Sequence, residues 1–115
     1  MKTQLTMEEI SFIMIAMFKK KTAIDYKYNE GELIKEFSSY IDETYGKHYS
    51  LNKYQSTEFI IDSGHGEGFC IGNIMKYAQR YGKKGGKNRA DLLKVLHYAL
   101  FMLYVHDKET NNETK

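Results

Sequence analysis

Apolar residues recur at helical spacing along most of this chain, and no proline interrupts them. Proline removes a backbone donor and clashes with the preceding turn, so a sequence without one can be built of long helices. Thr6 with Glu9 forms a capping box for a first helix. Its body, residues 10–18, is apolar nearly all round, and it ends in Lys19, Lys20 and Lys21, cations that suit the carboxyl end of a helix dipole. Asn29 with Glu32 opens a second helix, in which Leu33, Ile34, Phe37, Tyr40 and Ile41 make one stripe before Gly46 ends it. Residues 22–28 read as a loop or short strand, and residues 47–53 as a loop. Ser56 caps a short third helix over 57–62, and Ser63-Gly64-His65-Gly66 is a break. A fourth helix follows over 67–81, then a turn over 82–87. Asn88 with Asp91 caps a fifth helix that runs to about Val105.

These elements predict an all-α fold, a compact bundle of about four to five helices in a single domain. Residues 1–46 form an N-terminal helical pair, 54–105 a helical core and 106–115 a frayed polar tail. The first and fifth helices carry apolar residues on every side, and a helix without a polar face must be covered on several sides. In so short a chain the natural cover is a second copy, so a homo-oligomer is expected.

A single cysteine, Cys70, excludes an internal disulfide and a four-thiolate zinc site, and points to core packing in a reducing, cytoplasmic setting. The apolar run 10–18 falls well short of the roughly 20 residues that cross a bilayer. No cleavage pattern follows it. Membrane partners are therefore not expected.

The net charge of +2 is small, but its distribution is uneven. Residues 76–94 hold seven Lys or Arg against one acid, Asp91, a local charge of +6 that leaves the remainder at −4. Asn73, Lys76, Tyr77 and Arg80 share a face of the fourth helix, where an ordinary core helix would carry Leu or Ile. Lys83, Lys84 and Lys87 follow among Gly82, Gly85 and Gly86, and Lys94 lies a turn beyond Asp91. Glycine permits left-handed backbone and close approach of a ligand. Amides of such a turn, with those opening the next helix, can cradle an anion. Arginine grips phosphate oxygens in a fork, and lysine acts as a point charge. The expected site is thus nucleotide-binding, made of Asn73, Lys76, Tyr77, Arg80, Lys83, Lys84, Lys87, Asp91 and Lys94. Lys76, Arg80 and Asp91 are the catalytic candidates if there is catalysis. Asp91 serves equally as a helix cap, and a lysine-rich turn is by itself most often a solvated surface.

Other chemistries find less support. The turn is not a phosphate-binding Walker loop, because Tyr81 stands where its first glycine belongs and Asn88 follows Lys87. His97 and His106 do not share a face, His48 and His65 stand alone in loops, and all four read as surface or partly buried histidines. Neither Glu8-Glu9 nor Glu32 with Glu36 has the Glu-x-x-Glu spacing that holds magnesium in all-helical pyrophosphohydrolases. No resident cofactor or metal is expected; magnesium enters only with phosphoryl transfer. Tyr77, Tyr81, Tyr98 and Tyr104 can stack on a base, though such spacing more often serves the core. The basic residues cluster at one turn and do not line a helix that could enter a groove, so nucleic acid is not an expected partner.

Residues 54–104 resemble a small phage domain family, largely uncharacterised, one member of which is a phage nucleotide kinase. The resemblance lies in Tyr54-Gln55, the string Glu58-Phe59-Ile60-Ile61-Asp62, and Gly72-Asn73, Lys76-Tyr77, Arg80 and Gly82-Lys83. Asp91-Leu92-Leu93-Lys94 and Tyr98 complete it, with Ala90 in place of the family's usual acid. It implies nucleotide handling in an infected cell by a multimer, with Asn73, Lys76, Arg80, Lys83, Asp91 and Lys94 at the nucleotide. The expectation is a phage accessory protein that binds a nucleotide through its phosphates, as a nucleoside monophosphate kinase-like phosphotransferase if it is an enzyme. The alternatives are a non-catalytic sponge that sequesters a nucleotide immune signal, an anti-defence role, and a module that binds a host protein through the first helix.

Overall fold

Thr6 caps the first helix as its sequence requires: its Oγ1 accepts the Glu9 amide at 3.0 Å. The computed structural model describes residues 4–21, 24–47, 50–83 and 85–113. All regular structure among them is helical: α1 (Met7–Lys21), α2 (Glu30–Gly46), α3 (Ser50–Ile60), a turn of π-helix (Ile61–His65), α4 (Gly66–Arg80) and α5 (Arg89–Glu113). No helix among the described residues is long and apolar enough to cross a membrane. The chain divides into two compact units, Met1–Lys35 and Glu36–Lys115.

In the first unit α1 is bare along its described side chains, with Phe12 75% and Met14 64% exposed. Residues 24–29 form no strand. Asn29 takes a left-handed φ of 61°, and its carbonyl accepts the Leu33 amide at 3.0 Å. Tyr28 donates its amide to the Glu30 carboxylate at 2.7 Å. The start of α2 is thus fastened through Glu30, which sequence spacing had not singled out.

In the second unit the buried apolar side chains are few: Cys70, Tyr98 and Val105 among the described residues. They belong to α4 and α5, which pack against each other as the principal helix pair. Gly66 makes that packing possible at its far end. A Cβ there would stand 3.0 Å from Val105 Cγ2 and 3.2 Å from Ile61 Cγ1. We expect Gly66→Val to destabilise the fold by about 1–3 kcal/mol through overpacking, read as a lower denaturant midpoint at unchanged slope.

Two boundaries differ from the sequence expectation. The segment read as a loop up to Lys53 is helical from Ser50, so Ser56 lies inside α3 and caps nothing. Thr57 donates its hydroxyl to the Lys53 carbonyl at 3.0 Å, one turn back, and is buried. The polar tail does not fray at Val105: α5 continues to Glu113. Lys108 reaches Asp62 at 2.5 Å and ties the extension to the π turn. The expected break at 63–66 is present as a kink, with Gly64 at φ 89°. Ser63 donates back to the Phe59 carbonyl at 2.5 Å, which draws the chain into the wider turn.

Arg89 forks onto Glu36, its Nη2 2.6 Å from Oε1 and its Nη1 on Oε2, joining the start of α5 to α2 within the second unit. The Arg89 guanidinium holds the Glu36 carboxyl below its ordinary range, first by the hydrogen bond and also by its charge. The α2 stripe continues into that contact: Phe37 and Tyr40 meet the His97 ring edge-on at 6.2 and 5.9 Å.

The side of α5 turned away from its packed face is also apolar. Leu92, Leu96, Ala99 and Leu103 lie on one stripe, and the three leucines are 43%, 50% and 61% exposed. On α4, Ile71 and Met75 flank Ile74 and are 42% and 64% exposed. Ile74 shares a shallow groove of 390 Å3 with Ala99, Met102, Leu103 and His106.

Candidate anion-binding site

The turn between α4 and α5 obeys the glycine pattern. Tyr81 has φ −58° and ψ 125°, and Gly82 follows at φ 85°. Lys83 donates its amide to the Arg80 carbonyl at 3.0 Å. These are the features of a type II turn, which needs glycine in its third place. Gly85 and Gly86 are also left-handed, at φ 77° and 80°.

The amides do not form the expected cradle. Gly82 donates to the Gly86 carbonyl at 3.0 Å, and Asn88 donates to the same carbonyl. The Ala90 amide goes to Asn88 Oδ1 and the Asp91 amide to the Asn88 carbonyl, each at 3.0 Å. With Lys83 these make five amides of the turn and of the α5 start already committed within the chain. An anion at this turn must be held by side chains.

Tyr77 is where those side chains converge. Its ring stacks on Tyr98 with centroids 5.9 Å apart and planes 12° apart, binding α4 to α5. Lys76 Nζ lies 5.1 Å from the Tyr77 ring centroid and Lys94 Nζ 5.0 Å. Ammonium groups at such distances are drawn to the ring quadrupole, yet they repel one another. The ion pairs among the described residues are Arg89–Glu36 and Lys108–Asp62, so neither lysine is neutralised by a described carboxylate. Arg80 lies a turn beyond Lys76, half-buried, and Lys83 and Lys87 are exposed in the turn. Lys84 lies outside the described residues.

The remaining candidates have different surroundings. Asn73 donates its amide nitrogen to the Phe69 carbonyl of its own helix at 2.9 Å, leaving its side-chain oxygen as the group it can offer. Asp91 is 3% exposed, and its Oδ2 has no hydrogen-bond partner among the described residues. The half-made capping box explains this. Asn88 caps α5, but its own amide is spent on Gly86, so the amide that would have answered Asp91 is taken. Tyr98 is buried in the core and Tyr104 is exposed at the edge of a separate cleft, so neither joins the Tyr77 cluster from the solvent side. Cys70 is buried, and burial pushes its thiol up.

Sequence reasoning missed the group at the centre of the aromatic cluster. His97, expected at the surface or partly buried, is 3% exposed. Phe101 stacks on it at 4.5 Å, and Phe37, Tyr40 and Tyr54 surround it. Burial, and then the charge of Lys53, push its pKa down to about 4. The signal was available: His97 stands on one helical stripe with Lys94, Tyr98, Phe101 and Val105. His65 and His106 are exposed, and His48 lies outside the described residues. Among the described residues no group of three or more His, Cys, Asp or Glu is placed to hold a metal.

Comparison with curated proteins and with solved structures gives no match. Residues 43–100, half of the chain, match the family described as protein of unknown function (DUF3310), a span that takes in the end of α2, the whole of α3 and α4, the Tyr77 cluster and the first half of α5. The chain belongs to that family.

Proposed function

We propose that this protein binds a nucleotide through its phosphates at the Tyr77 cluster, between α4 and α5. The observation that carries the reading is the pair of ammonium groups, Lys76 and Lys94, gathered on one aromatic ring without a carboxylate among the described residues to neutralise them. A phosphate between them relieves their repulsion, and Arg80 and the exposed Lys83 extend the positive field along the turn. Inorganic anions satisfy the charge alone; a nucleotide can bring several phosphates to span Lys76, Lys94 and Lys83, while the Tyr77 ring is already taken up by Tyr98 and the two ammonium groups.

Two outcomes are open to a nucleotide so held. In phosphoryl transfer onto a nucleoside monophosphate, Lys76, Arg80 and Lys83 would stabilise the charge on the transferred group, with magnesium arriving on the phosphates. In sequestration the ligand is held intact, as a sponge for a nucleotide signal requires. The burial of Asp91, the sole acid of the basic stretch, favours sequestration, because a carboxylate 3% exposed is poorly placed to meet an acceptor hydroxyl.

Titration calorimetry with mono-, tri- and cyclic nucleotides is the test. At least one is expected to bind, and Lys76→Ala with Lys94→Ala is expected to weaken it by more than tenfold without lowering the melting temperature. A flat titration across the panel overturns the reading. Chromatography of nucleotide incubated with ATP, magnesium and the protein then separates the two outcomes, converted ligand meaning transfer and intact ligand released on denaturation meaning sequestration.

We further propose that a second copy covers the apolar stripe of α4 and α5, since the protomer exposes more large apolar side chains there than it buries in its core.

A further inference from the structure

A cleft of 520 Å3 lies between α3, the π turn and α5, away from the Tyr77 cluster and outside the nucleotide reading. Its volume is within the roughly 300–1,000 Å3 of small-ligand sites. Aromatic rings dominate its wall: Tyr45, Tyr54, Phe101 and Tyr104. The first three are held in place. Tyr45 and Tyr54 stack at 4.1 Å with planes 9° apart, and Phe101 meets Tyr54 edge-on at 6.2 Å. The Tyr54 hydroxyl is bonded to buried Thr44 at 2.5 Å, so Tyr54 presents its ring rather than its hydroxyl to a guest.

The charges at this cleft have the opposite sign to those at Tyr77. Glu58 and Asp62 line it one helical turn apart. Carboxylates there repel phosphate, which rules the cleft out as the seat of an anion. They suit a cation, and the chain itself demonstrates this: Asp62 holds the Lys108 ammonium at 2.5 Å. Glu58 has no ion-pair partner among the described residues, although its charge is felt at Lys108. Electron-rich ring faces reinforce the preference, because cations are attracted to them. Ile61 and Leu100 supply the apolar floor that an alkyl stem needs.

We infer that this cleft binds an aliphatic diamine. One ammonium pairs with Glu58 among the tyrosines, the methylene stem lies on Ile61 and Leu100, and the second ammonium displaces Lys108 from Asp62. Two carboxylates on one cleft wall suit a diamine better than a single amine. In an α-helix, side chains four residues apart start about 5–6 Å apart, and the π turn at Asp62 changes this only locally. Two nitrogens joined by four methylenes stand about 6 Å apart when extended, from five bonds of about 1.5 Å in zigzag.

The test is titration of the full chain with 1,4-diaminobutane, followed by amide and side-chain NMR shifts, with 1,4-butanediol as the neutral analogue. The diamine is expected to shift signals of Glu58, Asp62 and Tyr104 saturably, and the diol is not. Glu58→Gln is expected to weaken binding at least tenfold at an unchanged melting temperature. Lys108→Met, which removes the internal competitor, is expected to tighten it several-fold. Glu67→Gln, an exposed acid outside the cleft, is expected to leave it unchanged. Absence of diamine shifts in both the parent and Lys108→Met overturns the inference. So does equal binding of the diol, or an affinity that Glu67→Gln lowers as much as Glu58→Gln. None of these results bears on the nucleotide titrations, which probe the other end of the α4–α5 pair.

Discussion

The protein is expected to lose about 3 kcal/mol of stability at His97 alone as the pH falls from about 7 to about 4. The ring sits 3% exposed among Phe37, Tyr40, Tyr54 and Phe101, and the cation facing it is Lys53. Burial removes the water that would solvate an imidazolium, and the Lys53 charge opposes it. Its folded pKa is therefore about 4, against 6.5 when the chain is unfolded. The sign follows from the direction of that shift. Above 6.5 both states carry a neutral ring and the group is indifferent to pH. Between 6.5 and 4 the unfolded chain takes up a proton that the fold refuses, so unfolding is favoured progressively; below 4 both are protonated and the loss is complete. Glu36, held down by Arg89, adds a loss of the same sign in the carboxylate range. Urea titrations at a series of pH values measure the total, and His97→Phe isolates the histidine, because phenylalanine keeps the aromatic contacts and cannot titrate. The slope between pH 6.5 and 4 should largely vanish in that variant. An equal slope in both proteins, or a His97 ring that titrates near 6.5 by NMR, would refute the assignment.

How much of this was legible beforehand depends on whether the controlling interaction was local. Thr6 and Asn88 capped as their neighbours in sequence said they would, because an N-cap bond spans two or three residues. Gly82 turned as expected, since a left-handed φ is a property of one residue. The start of α3 was hidden because Ser50, Leu51, Asn52 and Lys53 show no apolar period; that helix is fastened by Tyr54 and Thr57, whose partners include Thr44 from α2. The end of α5 was hidden for the same reason. Lys108 looks like a tail residue until the chain brings Asp62 to it.

The candidate site divides along the same line. That Lys76, Tyr77 and Arg80 share a face is helix geometry, whereas Lys94 reaches Tyr77 through the packing of α4 against α5, in which the Tyr77–Tyr98 stack takes part. The cradle of backbone amides failed as an expectation because a glycine turn has two ways to use its donors. It can aim them at a ligand or close its own hydrogen bonds, and Gly82, Lys83 and Asn88 do the latter. Spacing alone does not distinguish the two. In the proposed site, anion binding would fall to lysine and arginine side chains instead of the backbone, which would make it more sensitive to salt and to single substitutions than a main-chain nest.

Leu96→Asp with Leu103→Asp is expected to turn the proposed assembly into a monomer while leaving the protomer folded. In the protomer these side chains are 50% and 61% exposed, on the side of α5 opposite its packed face, so two carboxylates there meet water and the helix pair loses little. Against a second copy the same carboxylates are desolvated without partners, at about 1–3 kcal/mol each. Every tenfold in dissociation constant corresponds to about 1.4 kcal/mol, so the pair of substitutions should raise that constant by a hundredfold or more. Light scattering at micromolar concentration reads the mass, and circular dichroism shows whether helicity survives. The proposed assembly would also account for the thin core: Cys70, Tyr98 and Val105 are the buried apolar side chains described, and α4 and α5 carry a second apolar side that a second copy would bury. A parent protein of monomeric mass, or a double variant that keeps the parent's mass, would show that the leucines of α5 face solvent in the working protein.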